Sequence, residues 1–577
     1  MKKVMLGILS LAAVLTGCNK DDIFLGDLGD VNGSGSTSGV NGATTHSFSE
    51  DSEDLISGTT FARTISITFS DSGSATVSGD VNGIVSVSGN QVTVKNTTSE
   101  KIKYELSGTT TNGFLKIYSS NKQALVLNGV SITNPSGAAI NNQGKKRCFV
   151  VVNGQNSLAD GTSYTATPSD EDEKAAFFSE GQLIFSGEGS LKITAQGKSG
   201  LISDDYIHFM ASPVIEVSSS AGHAVRGKDA VIVSDGTLTA KSTAPMKKGI
   251  ASDSLVVFNG GVTTVAVTGS TAYDDEDKDY KSAAGIKADQ LFVMNGGVLS
   301  VTSSGVGGKG ISGDGDAYFQ GGTVEVTVTG GNYGSSSNNR PGGWGGNTSS
   351  SNSKSAKGIK FDGSIYISEG VISAKASNHE GIESKGKIEI TGGTVYAQSK
   401  DDAINSAGML AITGGEVCAY STGNDGLDAN GNCYIEGGVV YAIGSGSPEV
   451  AIDANTEKGY TLYVNGGTLF AIGGLENGAV LSQACYQASW TANKWYGLTV
   501  GNNAYAFLTP GSGGSGLVVS GASKPGVKLG VTVSGGVTSF NGMGVFGASI
   551  SGGSDVSLSS YSGGSNGRPG QGFGGGW

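Results

Sequence analysis

The chain has 577 residues, 97 of them Gly and only 9 Pro, with 15% charged and 7% aromatic residues. Glycine shows no three-residue period, which excludes collagen, and no long amphipathic helical pattern appears. A net charge of −13 argues against a nucleic-acid partner, which needs a basic face, but leaves acidic polymers open if cations bridge the two.

Residues 1–17 read as a lipoprotein signal peptide. Lys2 and Lys3 form the basic start, and Val4 to Leu15 is an apolar run too short for a permanent span. Leu15-Thr16-Gly17-Cys18 resembles a bacterial lipobox, which makes Cys18 the expected lipidation site. Asn19-Lys20-Asp21-Asp22 is similar to the surface-export signal of Bacteroidota lipoproteins. The expected location is therefore the outer membrane, surface-exposed, with the lipid as the sole membrane contact. Residues 18–45, rich in Gly, Ser, Thr and Asn from Gly26 onward, read as a flexible tether.

Residues 46–110 alternate in short strands such as Thr64 to Phe69 and Gln91 to Val94, and are expected to form an N-terminal β cap or irregular first coils. A repeat then dominates residues 111–490. An apolar column runs Ile250, Ile286, Ile311, Ile359, Ile382, Ile404, Leu427, Ile452, and a turn column runs Gly261, Gly297, Gly322, Gly370, Gly393, Gly415, Gly438, Gly467. The shortest steps, about 22 to 25 residues, match one coil of a β-solenoid. Before each turn, Phe258, Met294, Phe319, Ile367, Ile390, Ile412, Ile435 and Val464 share a column; after it, Leu299, Val324, Ile372, Val395, Val417, Val440 and Leu469 share another. Constant columns with period-2 alternation predict parallel strands stacked in register. The expected fold is all-β: a right-handed, single-stranded parallel β-helix with caps at both ends, and a monomer.

Two coils carry insertions, Ala272 to Ser282 and Gly331 to Ser355, the second holding Asn339-Arg340-Pro341-Gly342-Gly343-Trp344. Residues 491–577 read as a C-terminal β segment with a Gly-rich tail, where Asn566 to Gly570 repeats that chemistry and the chain ends in Trp577. Cys148, Cys418, Cys433 and Cys485 match no zinc spacing, and no essential disulfide is expected. Cys433 falls in a core column with Val256, Phe292, Ile388 and Leu410.

One corner of the solenoid changes sign midway. Two residues before the Ile column the chain reads Lys248, Ala284, Lys309, Lys357, then Glu380, Asp402, Asp425, Val450; one residue after it reads Ala251, Lys287, Ser312, Lys360, then Glu383, Asn405, Asp428, Asp453. Strands lie about 4.8 Å apart, so stacked carboxylates repel and call for cations. Hard oxygen donors at this density suit Ca²⁺. The expected metal set is Glu380, Glu383, Asp401, Asp402, Asn405, Asp425, Asp428 and Asp453, against the alternative of a solvated acidic corner. The four histidines are scattered and give zinc little support. A second column, Tyr396, Cys418, Tyr441 and Phe470, with Tyr420 beside it, is expected to point outward and to stack sugars, unless the C-terminal segment covers it.

Several ordered blocks carry a family resemblance: Tyr104-Glu105-Leu106-Ser107-Gly108, Leu127-Asn128-Gly129-Val130, Phe178-Ser179-Glu180-Gly181, Lys357-Gly358-Ile359-Lys360, Glu380 to Gly386, Asp401 to Asn405 and Asn424 to Asp428. Over about residues 100 to 480 the chain resembles the calcium-containing right-handed β-helix carbohydrate-binding family of cellulolytic clostridia and gut anaerobes. The resemblance implies binding of cellulose-like and acidic plant polysaccharides on a fold shared with pectate lyases. Lyase chemistry needs a base for the C5 proton. Lys400 is the candidate, but its acidic neighbours Asp401 and Asp402 favour its charged form, the wrong direction for a base. Calcium-assisted glycan binding is therefore expected ahead of a polysaccharide lyase or a non-catalytic adhesin.

Overall fold

The structure, a computed structural model, describes residues 35–165, 168–169, 171–334 and 353–563. Lys2, Lys3, Cys18, the 19–22 segment, the Asn339 to Trp344 stretch and the Asn566 to Trp577 tail lie outside the described residues.

The chain winds as a parallel β-solenoid with three strands per regular coil. The first face is a 15-stranded sheet running from Val85–Ser88 to Ile452–Ala454. Its central column pairs Ile250, Ile286, Ile311, Ile359, Ile382, Ile404, Leu427 and Ile452 in unbroken parallel register. The second and third faces belong to one 30-stranded sheet folded at the Gly turn. The column from Phe258 to Val464 and the column from Leu299 to Leu469 each pair in register, and all their side chains are buried. The interior is thus one continuous apolar rod. Each coil buries its face only against its neighbours, which is what gives a short period its power to specify the fold.

The turn glycines are required at the bend. Gly415 has φ +76°, and a Cβ there would lie 2.7 Å from the carbonyl carbon and oxygen of Gly392 one coil below. An L side chain meets both a disfavoured backbone region and a stacked backbone there. Cys433 pairs between Leu410 and Leu462 in the core column; Cys148, Cys418 and Cys485 are likewise buried free thiols.

Both ends are closed. At the N-terminus, antiparallel pairing of Arg63–Phe69 with Thr76–Ser78 and of Val85–Ser88 with Asn90–Asn96 interrupts the parallel stack and covers its first coils. At the C-terminus, Leu517–Ser520 pairs antiparallel with Thr468–Ile472, which removes an open sheet edge. A six-stranded antiparallel sheet, with Trp495–Val500 and Asn503–Leu508 at its centre, packs beside the last coils.

The tether reading extends too far along the chain. Residues 35–62 lie as a strap along the outside of the second face and run back toward the first coils. Tyr434 Oη donates to the Gly35 carbonyl (2.8 Å), Thr44 Oγ1 to Glu389 (3.0 Å), and the His46 N–H to Gln320 (2.9 Å). Phe48, Ile56 and Phe61 pack on an outward apolar column that includes Phe149, Tyr318 and Tyr366. Buried Asp54 then ties to Arg147 Nε (2.7 Å), Tyr206 Oη (2.6 Å) and His208 Nδ1 (2.7 Å). The strap is held by polar contacts such as Ser38 N–H to Glu436 (2.9 Å), while Gly35, Gly42 and Gly58 face open space.

Candidate metal and glycan site

The acidic corner precedes the first face. Its backbone stacks in register, with Gly381 N–H donating to the Asp402 carbonyl (3.3 Å) and Ala403 N–H to that of Asp425 (3.1 Å). On the strand itself Lys360, Glu383, Asn405, Asp428 and Asp453 are successive partners. The acidic residues therefore stack rung on rung, and they divide into two chemically different parts.

The first part is neutralised by the protein. Lys357 Nζ lies 3.1 Å from Glu380 and 2.5 Å from Glu383, Lys385 also pairs with Glu383, and His379 bridges Glu380 and Asp401. Burial pushes the Glu380 carboxyl up, but the His379 contact and the Lys357 charge outweigh it and hold it at about 2. Glu380 and Glu383, expected as metal ligands, are thus ion-pair partners of protein cations in this structure. The cause is the sign change itself: the last Lys of the basic column sits one rung from the first acids. His379, Glu380 and Asp401 still bring one donor atom each within 4.8 Å of one another.

The second part has no counter-charge. Asp402, Asp425, Asp428 and Asp453 form no ion pair among the described residues. Asn405 Nδ2 donates to Asp402 (2.9 Å) and to Asp428 (2.6 Å), so it clamps two carboxylates on adjacent coils. The Asp425 N–H donates to Asp402 (3.2 Å), and the Val450 N–H to Asp425 (2.6 Å). Burial, with the charge of Asp401, raises Asp402 to about 6. Burial and the charges of Asp402, Glu449 and Glu476 raise Asp425 to about 7. Asp428 rises to about 8 through burial and the charges of Asp402 and Asp425. Asp453 rises to about 9 through burial and a hydrogen bond to Glu476. Buried carboxylates without a cation pay this way, by refusing to ionise.

Glu476 was missed from sequence. Leu475 bridges Ile452 as the next rung of the Ile column, so Glu476 follows Asp453 in the acidic one. Extending the column past the irregular last coil finds it. The donor set is all oxygen, the chemistry that a hard divalent cation takes, and Asn405 is able to turn its amide oxygen inward; at this corner, among the described residues, only His379, Glu380 and Asp401 bring three donor atoms within 4.8 Å of one another.

The aromatic column is corrected. Tyr396, Cys418, Tyr441 and Phe470 do share one outward column on the third face. All four are buried, because Tyr496, Phe507 and Val519 of the C-terminal segment pack over them. The Tyr441 and Phe507 rings lie 5.0 Å apart, and Tyr441 Oη donates to the Leu508 carbonyl (2.8 Å). Buried rings offer no face to a sugar. Tyr420 is half-buried against the same cluster. Lys400 is exposed and pairs with neither neighbouring Asp, which leaves it without the setting that would prepare a base.

These charged columns thus lie along one corner of a capped parallel β-solenoid. The chain belongs to the family of carbohydrate-binding domain-containing proteins, whose model matches residues 88–245, 241–330, 305–403 and 352–484. Among solved structures, a polysaccharide lyase-like protein from C. thermocellum, determined as a gadolinium derivative, is 22% identical. The match covers 44% of this chain and 96% of that one with a TM-score of 0.36, a level that adds nothing to the fold described above. A search of curated proteins gives no significant match.

Proposed function

We propose that this chain is a surface-displayed lipoprotein that binds plant-type polysaccharide, and that its acidic corner holds Ca²⁺ and through it an anionic glycan. The observation that carries the reading is the uncompensated stack of Asp402, Asp425, Asp428 and Asp453, all held well above the usual carboxylate range. A cation restores ionisation and removes the repulsion. Residues Asp402, Asn405, Asp425, Asp428, Asp453 and Glu476 would hold it. A calcium ion with six to eight oxygen positions leaves room for water or a uronate carboxylate. Family membership supports the glycan; the lipobox at Cys18 supports the anchor.

Calorimetric titration of Ca²⁺ into the wild type and into Asp402→Ala/Asp425→Ala tests this. The wild type is expected to bind, and to release protons because the carboxyls enter the site partly protonated. The double variant is expected to lose both calcium and calcium-dependent pectate binding while keeping its core columns. A wild type that takes up no calcium reduces the corner to a solvated face.

A further inference from the structure

The basic half of the same corner holds two cations that meet no carboxylate among the described residues. Lys248, Ala284, Lys309 and Lys357 are successive partners on the first face. Lys357 is consumed by Glu380 and Glu383. Lys248 Nζ donates only to the Met246 carbonyl (2.6 Å), and Lys309 Nζ to Ser282 Oγ (3.2 Å). Neither meets a carboxylate among the described residues, in a chain of net charge −13. Burial and the like charges of neighbouring lysines lower both ammonium groups to about 8.

The described residues of both insertions flank this spot. The strands Ala272–Asp274 and Asp279–Lys281 form a hairpin just before the Ala284 rung, and Tyr333 bridges Lys354 just before the Lys357 rung. They bring three tyrosines together. The Tyr273 and Tyr280 rings lie 5.2 Å apart, and Tyr280 lies 5.4 Å from Tyr333. Tyr273 is 43% exposed, unlike the covered column on the third face. The hairpin acids do not reach the two free lysines: Asp274 and Asp277 pair with Lys281, and Asp279 with Lys354. Aromatic rings on the segments that lead into these rungs, and ammonium groups that meet no carboxylate among the described residues, suit a ligand with apolar sugar faces and fixed negative charge.

We propose that Lys248 and Lys309, flanked by Tyr273, Tyr280 and Tyr333, form a second glycan subsite that takes a carboxylate or sulfate of an anionic polysaccharide without a metal ion. The inference rests on the carbohydrate-binding reading but not on the calcium corner. An anion there relieves a repulsion that the folded chain otherwise carries, so the lysines are kept for binding rather than stability.

Binding of polygalacturonate and of dextran sulfate, which carries sulfate but no uronate, to the full chain is measured in excess EDTA, which silences any calcium site. At least one probe is expected to bind; the pair tells uronate from sulfate recognition. Lys248→Met/Lys309→Met is expected to weaken that binding about tenfold or more, in line with loss of a charge-assisted contact. Methionine keeps the packed stem, so the variant is expected to melt at or above the wild-type temperature. Tyr273→Ala is expected to weaken binding several-fold with no change in melting. Lys192→Met/Lys458→Met, the same charge change at exposed sites elsewhere, is expected to bind as wild type. The proposal is overturned if neither probe binds in EDTA, if the control pair weakens binding equally, or if the Lys248/Lys309 variant melts lower. Success here with no calcium uptake in the titration above would sink the calcium reading alone.

Discussion

Replacing Asp428 by Asn should stabilise the calcium-free chain at neutral pH. Asp428 is held at about 8 by burial and by Asp402 and Asp425, against 3.8 for a free side chain. Its folded-state value is raised, so its contribution is fully present below about pH 4 and is lost as pH rises toward 8. At pH 7.5 the gap of nearly four units, at about 1.4 kcal/mol each, sets a ceiling of order 5 kcal/mol on the cost of this one carboxyl. Sharing of the strain among four coupled acids lowers the expected gain to about 1–3 kcal/mol. Asparagine keeps the acceptor for Asn405 Nδ2 and the same shape. At about 2–4 °C per kcal/mol for a medium-sized domain, the melting temperature in EDTA should rise by a few degrees. The difference should vanish near pH 4, where both side chains are neutral. Added calcium should raise the wild-type melting temperature, because an ion bound only by the folded chain stabilises it, and should raise that of Asp428→Asn much less. Thermal scans with and without calcium at pH 4 and 7.5 decide it. A variant that melts lower than wild type in EDTA at pH 7.5, or responds equally to calcium, refutes the reasoning.

Other consequences follow from the same contacts. Arg147→Ala leaves Asp54 buried beside Tyr206 without its cation, and should cost about 3–5 kcal/mol and loosen the strap, read as faster proteolysis within residues 35–62. Phe507→Ala should cost about 3–5 kcal/mol by opening a cavity over Tyr441 and Phe470, while glycan affinity stays at the wild-type level; a selective loss of binding would return the aromatic column to the site. Cys18→Ala should release the protein from the membrane fraction, and unchanged membrane association would defeat the lipobox reading.

The repeat was legible because a solenoid writes its three-dimensional neighbours into a short period. Ile382, Ile404 and Leu427 are 22 to 23 residues apart in sequence and adjacent in space, so the core could be read by aligning coils. The acidic corner was legible for the same reason, down to the pairing of Asn405 with Asp428. What failed were contacts with no period. The cover on Tyr441 comes from Phe507 and Leu508, and the strap on Tyr434 from Gly35, both far away in sequence. A Gly- and Ser-rich segment that docks through its backbone looks like a loose tether by composition. Lys357 could have been weighed against Glu380 on the next rung, but reading each sign as a separate block hid the junction. The tyrosines of the insertions were hidden by their acidic surroundings, since sequence does not show that Lys281 and Lys354 neutralise Asp274, Asp277 and Asp279.

The most direct test of the account is an equilibrium titration of polygalacturonate against the wild-type chain, with calcium and with EDTA. Two sites on one corner, one metal-dependent and one not, predict clearly tighter binding with calcium, and binding that persists in EDTA when the metal-free subsite takes uronate. Binding that is absent in both conditions, or that calcium leaves unchanged, contradicts it.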